Sequence, residues 1–256
     1  MMRSKFEQEN DQLLKFILDK RFFEPWAERG TNPNIDKQFS LSSEGYLEIY
    51  ITSHCNYKCE YCYLRENCNI YPTEVDKPEL IISNLKLLCN YLIEKKYCIP
   101  DIELFSGEIW HTNFGREILE ILYQACLNGL QCKHFLIPSN CTFANDDAAL
   151  HLIQRFIDKF EQIGVTLQFS VSMDGKVIDD YNRPANDKDE VRNDLFYDNI
   201  FLFAHRNGFT FHPMVAAYTI EQWKENFQWW KEMCDKYEYD VIHDVMLLEV
   251  RNNDWT

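Results

Sequence analysis

Three glycines constrain this chain more than any other feature. Gly129, Gly164 and Gly208 each follow the last apolar turn of a helical stretch and precede, by one or a few residues, a short apolar run. Glycine is the expected helix stop, because it enters the left-handed conformation without a Cβ clash. The runs read as strands over Tyr46–Thr52, 101–105, 133–139, 165–173, 209–217 and 245–250. Helical stretches lie between them. Pro78 opens the first, and the Lys95-Lys96 pair sits in its last turn. The next covers 116–127, and a third has Asn145 and Asp146 as cap candidates. Two more cover 190–206 and 220–236. Such alternation requires parallel strands with right-handed crossovers. Six strand-helix units, the last without its helix, are too few for a closed eight-stranded barrel. The expected fold is α/β: an open, partial (β/α)6 TIM-like barrel with parallel strands. Its site is expected at the C-terminal ends of those strands.

Residues 1–45 read as an N-terminal helical extension, with an amphipathic helix over 12–20 and a wrapping loop over 22–39. Residues 46–256 form the barrel. No apolar run reaches the ~18 residues of a membrane span, and the charged start lacks the apolar stretch of a signal peptide. A cytoplasmic protein is expected. Against 26 basic residues stand 41 acidic ones, a net charge of -15. The average surface therefore repels a phosphate backbone, and no basic run exceeds Lys95-Lys96, so neither nucleic acid nor membrane is an expected partner.

Ten cysteines are too many to pass over in a chain expected to stay reduced. Three stand together directly after the first strand. Cys55, Cys59 and Cys62 follow Cys-x3-Cys-x2-Cys spacing, so three thiolates can converge on one face of a loop. A four-iron cluster takes four thiolates when fully protein-bound; three leave one iron open to an exogenous ligand. Zinc is the alternative, with His54 or Cys68 as fourth ligand, but the second close ligand pair usual in structural zinc sites is absent. Three core thiols are a further alternative, set against the polar residues around them. The other cysteines show no paired spacing. Cys89 and Cys126 read as core, Cys141 as core or rim, and His212 as a polar group satisfied within the barrel.

The cysteine spacing, with aromatic Tyr61 before the third cysteine, resembles the radical S-adenosylmethionine (SAM) superfamily. Ser106-Gly107-Glu108, ending the second strand, is similar to that family's Gly-Gly-Glu, and Ser139-Asn140-Cys141 to its Thr-Asn-Gly. Ser172-Met173-Asp174-Gly175, followed by Asp179, Asp180 and Arg183, resembles the branch of anaerobic sulfatase-maturating and peptide-modifying enzymes. Each motif closes a strand.

The resemblance implies a [4Fe-4S] cluster on Cys55, Cys59 and Cys62, with S-adenosylmethionine (AdoMet) on its open iron. It implies cofactor-binding roles for Tyr61, Gly107, Glu108, Asn140, Ser172 and Arg183. Glu108 would take the methionine ammonium in a charge-assisted bond, and Arg183 the carboxylate through its planar fork. Gly107 would permit close backbone approach. Ser172 would meet the ribose or carboxylate, and Tyr61 the adenine. The implied activity is hydrogen abstraction from a peptide or protein, with flavodoxin or ferredoxin as electron donor. The branch usually carries a cysteine-rich C-terminal region, whereas here the chain stops just after the sixth strand, so a truncated or partner-completed module is also expected. A non-catalytic iron-sulfur adaptor and a zinc-binding interaction module are the alternatives in function.

Overall fold

The computed structural model describes residues 46–62, 64, 77–187, 190–240, 244–245 and 248–249. The N-terminal extension and Cys68 lie outside the described residues. The chain alternates as expected. β1 (Tyr46–Thr52), α1 (Pro78–Lys95), β2 (Asp101–Ser106), α2 (Gly115–Leu127), β3 (His134–Ser139), α3 (Asp147–Gln162) and β4 (Thr166–Val171) come first. They are followed by α4 (Asp179–Asn182), α5 (Asp194–Asn207), β5 (Met214–Val215), α6 (Trp223–Tyr237) and β6 (Leu248–Glu249). β1 to β4 form one parallel sheet in sequence order, and β5 pairs parallel with β6. Single parallel bridges from Val171 to Phe211 and from Phe211 to Val245 carry the order onward. The result is an open sheet, not a closed barrel.

Strand alternation sorts the residues between two faces. Ile102, Leu104, Phe135, Ile137, Leu167 and Phe169 are fully buried, in one core with Leu92 of α1, Ile118 and Leu122 of α2, and Ile153 and Phe160 of α3. Phe135 meets Phe160 edge-on at 5.5 Å between ring centroids. Each such side chain contributes roughly 1.5–3 kcal/mol by leaving water. Residues one place along (Glu103, Phe105, Pro138, Ser170) line a cavity on the opposite face. The helix stops behave as read: Gly129, Gly164 and Gly208 all have positive φ.

Several boundaries differ from expectation. The fifth strand shrinks to Met214–Val215, because Pro213 has no N–H to give a ladder. Of the expected sixth strand, Val245 makes a bridge and Leu248–Glu249 pair with β5, the rest lying outside the described residues; the fourth stops at Val171, short of 173. Of the two cap candidates for α3, Asp146 is the cap, accepting from the amides of Ala148 and Ala149. α5 starts at Asp194 rather than 190, because Asn193 accepts from the Phe196 amide and fixes the start. A 3-10 turn over Ala217–Gln222 precedes α6 and displaces its expected start at 220. α4 was not expected at all. Among the described residues, no helix is long and apolar enough to cross a membrane.

Candidate functional site

The cysteine loop leaves β1 through a register shift between Tyr50 and Thr52. Such an irregularity bends a strand end and re-aims the residues beyond it. Two backbone bonds tie the loop's base to the end of β2: Gly107 N–H to the Thr52 carbonyl (2.7 Å) and Glu108 N–H to the His54 carbonyl (2.6 Å). A Cβ on Gly107 would lie 2.3 Å from the His54 oxygen and 2.7 Å from that of Ser53. The close approach that needs this glycine is therefore to the chain's own cysteine loop.

The far side of the loop is held by the segment after β4. Tyr57 and Ala185 form an antiparallel bridge. Lys58 N–H donates to the Pro184 carbonyl, Glu60 N–H to that of Asn182 and Asn186 N–H to that of Asn56, each at 2.8 Å. The Asn186 side chain adds a 2.8 Å bond to the Cys55 carbonyl.

Cys55, Cys59 and Cys62 are reduced thiols on the wall of one cavity of about 730 Å³. Tyr61, Gly107, Asn140, Ser172 and Arg183 line the same cavity. Burial, with the Glu108 charge nearby, pushes the Cys55 thiol up to about 12, and burial raises Cys59. Both are therefore neutral thiols near pH 7. Among the described residues, no three His, Cys, Asp or Glu side chains gather as for a single metal ion.

Glu108 is deeply buried at the end of β2. It is 1% exposed and is not among the lining residues. Its carboxylate accepts from the Ser139 hydroxyl (2.9 and 3.1 Å), the Asn140 N–H (2.8 Å) and the Trp110 N–H (3.3 Å). It thus ties the ends of β2 and β3 together beside the cavity. Burial raises its pKa to about 7, against the lowering pull of those donors. The Asn140 side chain is also engaged: its amide donates to Asn56 of the cysteine loop (2.7 Å) and its oxygen accepts from Thr142.

Arg183 is 6% exposed and lines the cavity. Its Nη1 stands 3.8 Å from Asp174 Oδ1, and neither Nε nor Nη1 donates a hydrogen bond among the described residues. Buried guanidinium nitrogens without a hydrogen bond are costly, so the site suits an added acceptor. Asp174 meets the guanidinium by charge alone at that distance; its Oδ2 accepts from Tyr61 O–H and Asn182 Nδ2 and its Oδ1 from Met214 N–H, each at 2.8 Å. Its backbone carbonyl accepts from Asn226 (2.8 Å) and Trp230 (3.0 Å).

Sequence reasoning missed Asp174 as a hub, although its place in Ser-x-Asp-Gly at a strand end was a usable signal. It also missed Asn182, Asn186, Glu190 and Arg192, which carry no local pattern. His212, read as a satisfied polar group, lines the cavity with its Nδ1 bonded to the Ser170 hydroxyl. Cys141 is fully buried and belongs to the core.

No protein-family model matches the sequence, and no curated protein matches it. Solved structures do. One is anSMEcpe with bound AdoMet: 16% identity, TM-score 0.53, covering 81% of this chain and 52% of that one. The same protein with AdoMet and the Kp18Cys peptide matches at 15% identity and TM-score 0.53, covering 81% of this chain and 52% of that one. Streptococcus suis SuiB bound to its precursor peptide SuiA matches at 12% identity and TM-score 0.51, covering 80% and 39%. This chain thus spans about half the length of the first and two fifths of the other. In fold, the chain is similar to these radical SAM peptide-modifying enzymes.

Proposed function

We propose that this chain is the cofactor-binding part of a radical SAM enzyme that acts on a peptide or protein. One observation carries the reading. Three thiols in Cys-x3-Cys-x2-Cys order open onto the same cavity as a buried guanidinium, two of whose nitrogens donate no hydrogen bond among the described residues. Thiolates suit iron, and the Arg183 fork suits a carboxylate, so the residues fit a [4Fe-4S] cluster with AdoMet on its open iron. When bound, that pair supplies one-electron cleavage of the sulfonium and a 5′-deoxyadenosyl radical that takes hydrogen from a substrate.

The chain's own residues bind and orient. Cys55, Cys59 and Cys62 hold the cluster, and Arg183 takes the methionine carboxylate. Gly107 keeps β2 pressed on the cysteine loop. Tyr61 and Ser172 wall the cofactor, with Tyr61 fixed by Asp174. Asn140 braces the loop through Asn56, and Glu108 holds β2 to β3. The peptide substrate is supported by the similar structures that hold peptides. A flavodoxin or ferredoxin would deliver the electron, and a reducing cytoplasm suits the thiols.

Anaerobic reconstitution with iron and sulfide tests the reading. The chain is expected to take up about four irons, and the Cys55→Ala/Cys59→Ala/Cys62→Ala triple variant none. Uptake of zinc instead, or iron unaffected by the triple variant, overturns it.

A further inference from the structure

We infer that Arg192 is a positioning residue for AdoMet: it locks the cysteine loop and Arg183 into one fixed relation without touching the cofactor. The inference rests on the function proposed above.

Arg192 lies just before α5, outside every motif, and its side chain is only 4% exposed. Three faces of its guanidinium are engaged. The plane covers the Tyr57 ring, with the guanidinium carbon 4.3 Å from the ring centroid. Nε donates to Glu190 Oε1 at 2.8 Å. Nη2 donates to the backbone carbonyl of Arg183 at 2.8 Å. Nη1 stands 3.5 Å from Asp180 Oδ1.

Two of the residues it touches, Tyr57 and Arg183, belong to the two halves of the site. Tyr57 sits midway between Cys55 and Cys59 and is 8% exposed. Its N–H donates to the Cys55 sulfur (3.4 Å), and its hydroxyl donates to the same Glu190 oxygen that Arg192 holds (2.9 Å). Arg183 lines the same cavity as the thiols. A single planar group therefore spans from a residue of the cysteine loop to the residue that takes the carboxylate. The backbone pairing of Asn56, Lys58 and Glu60 with Asn182, Pro184 and Asn186 runs between the same two points. The clasp and the pairing thus constrain one dimension, the gap between loop and Arg183. A ligand that would be held both by a group on the cysteine loop and by Arg183 is sensitive to that gap at the level of about 0.5 Å. Only arginine meets the three demands together. Its plane stacks on an aromatic face while its edge donates in two directions, whereas lysine offers a point charge.

Two variants test this. Arg192→Lys keeps the charge and loses the stacked fork; Glu190→Gln keeps Arg192 and weakens what holds it and Tyr57. In the full chain as purified, amide hydrogen exchange over 53–62 is expected to rise about tenfold in Arg192→Lys and about threefold in Glu190→Gln, with β2 and β3 unchanged, one decade corresponding to ~1.4 kcal/mol. After reconstitution, iron per chain is expected to equal that of the parent. The AdoMet dissociation constant should rise about tenfold, and the cluster's electron paramagnetic resonance response to AdoMet should move to correspondingly higher concentration. Local exchange with normal iron and weakened AdoMet separates positioning from general destabilisation, which would raise exchange in β2 and β3 as well. The inference is overturned if exchange over 53–62 stays within twofold of the parent in both variants, or if exchange rises throughout the sheet. A parent chain that takes up no iron sinks the functional reading instead, and the exchange measurement still decides whether the clasp holds the loop.

Discussion

Glu108 offers a quantitative test of how the strand ends beside the cavity are held. Its carboxyl is fully buried, and its pKa moves from 4.5 to about 7, with burial as the main cause. Between those values the folded chain keeps the proton and the unfolded chain has lost it. The stability Glu108 contributes is therefore greatest below pH 4.5 and falls as pH rises toward 7. At about 1.4 kcal/mol per pH unit, the loss is roughly 3 kcal/mol. Glu108→Gln has the same shape and does not titrate. The Ser139 hydroxyl can turn to accept from the new amide, and the Asn140 N–H keeps an acceptor. The weakest bond, from the Trp110 N–H at 3.3 Å, is lost, at a cost of about 1 kcal/mol. The assay is the thermal midpoint of both proteins from pH 4.5 to 7.5. For a chain of this size, roughly 3 kcal/mol corresponds to about 6–12 °C. The variant should thus start slightly below the parent at pH 4.5 and gain that amount on it by pH 7. Burial also raises Asp174 and Asp179, but these titrate in both proteins and cancel in the difference. A difference constant within about 2 °C across the range would refute the reasoning.

Two glycines make further tests. Gly107→Ala forces a Cβ into the backbone oxygens of Ser53 and His54, so urea unfolding should show a loss of about 3 kcal/mol, with little effect if the cysteine loop is not packed on β2. Gly175 has φ +111°, and a Cβ there would lie 2.5 Å from Asn226 Oδ1 and 2.7 Å from Trp230 Nε1. Gly175→Ala should lose about 3 kcal/mol through strain and the bonds those side chains give Asp174, visible in the thermal midpoint and in Trp fluorescence.

Much of this was legible in the sequence, for identifiable reasons. Helix stops and strand runs are local signals, so the order of β1 to β4 and the glycines at φ > 0 could be read directly. The cysteine spacing is local too, and its place at the end of β1 comes from the fold. Pro213 could have warned that the fifth strand would break. What could not be read is how distant polar groups satisfy one another. Glu108 is an acid after glycine at a strand end, which reads as a site residue; that Ser139 and Asn140 would occupy both its oxygens depends on β3 lying beside β2. Arg192 finds its ring at Tyr57, well over a hundred positions away, and no periodicity announces such a pair. Arg183, by contrast, was singled out from a motif, and its nitrogens that donate no hydrogen bond among the described residues are what the structure adds.

The central claim is that this cavity holds a cofactor for radical chemistry. Its most direct measurement is chromatographic. The anaerobically reconstituted chain is mixed with AdoMet and dithionite, and 5′-deoxyadenosine is measured over time. The account predicts steady release that needs the reductant and disappears in the triple cysteine variant. A chain carrying about four irons that releases no 5′-deoxyadenosine would contradict it.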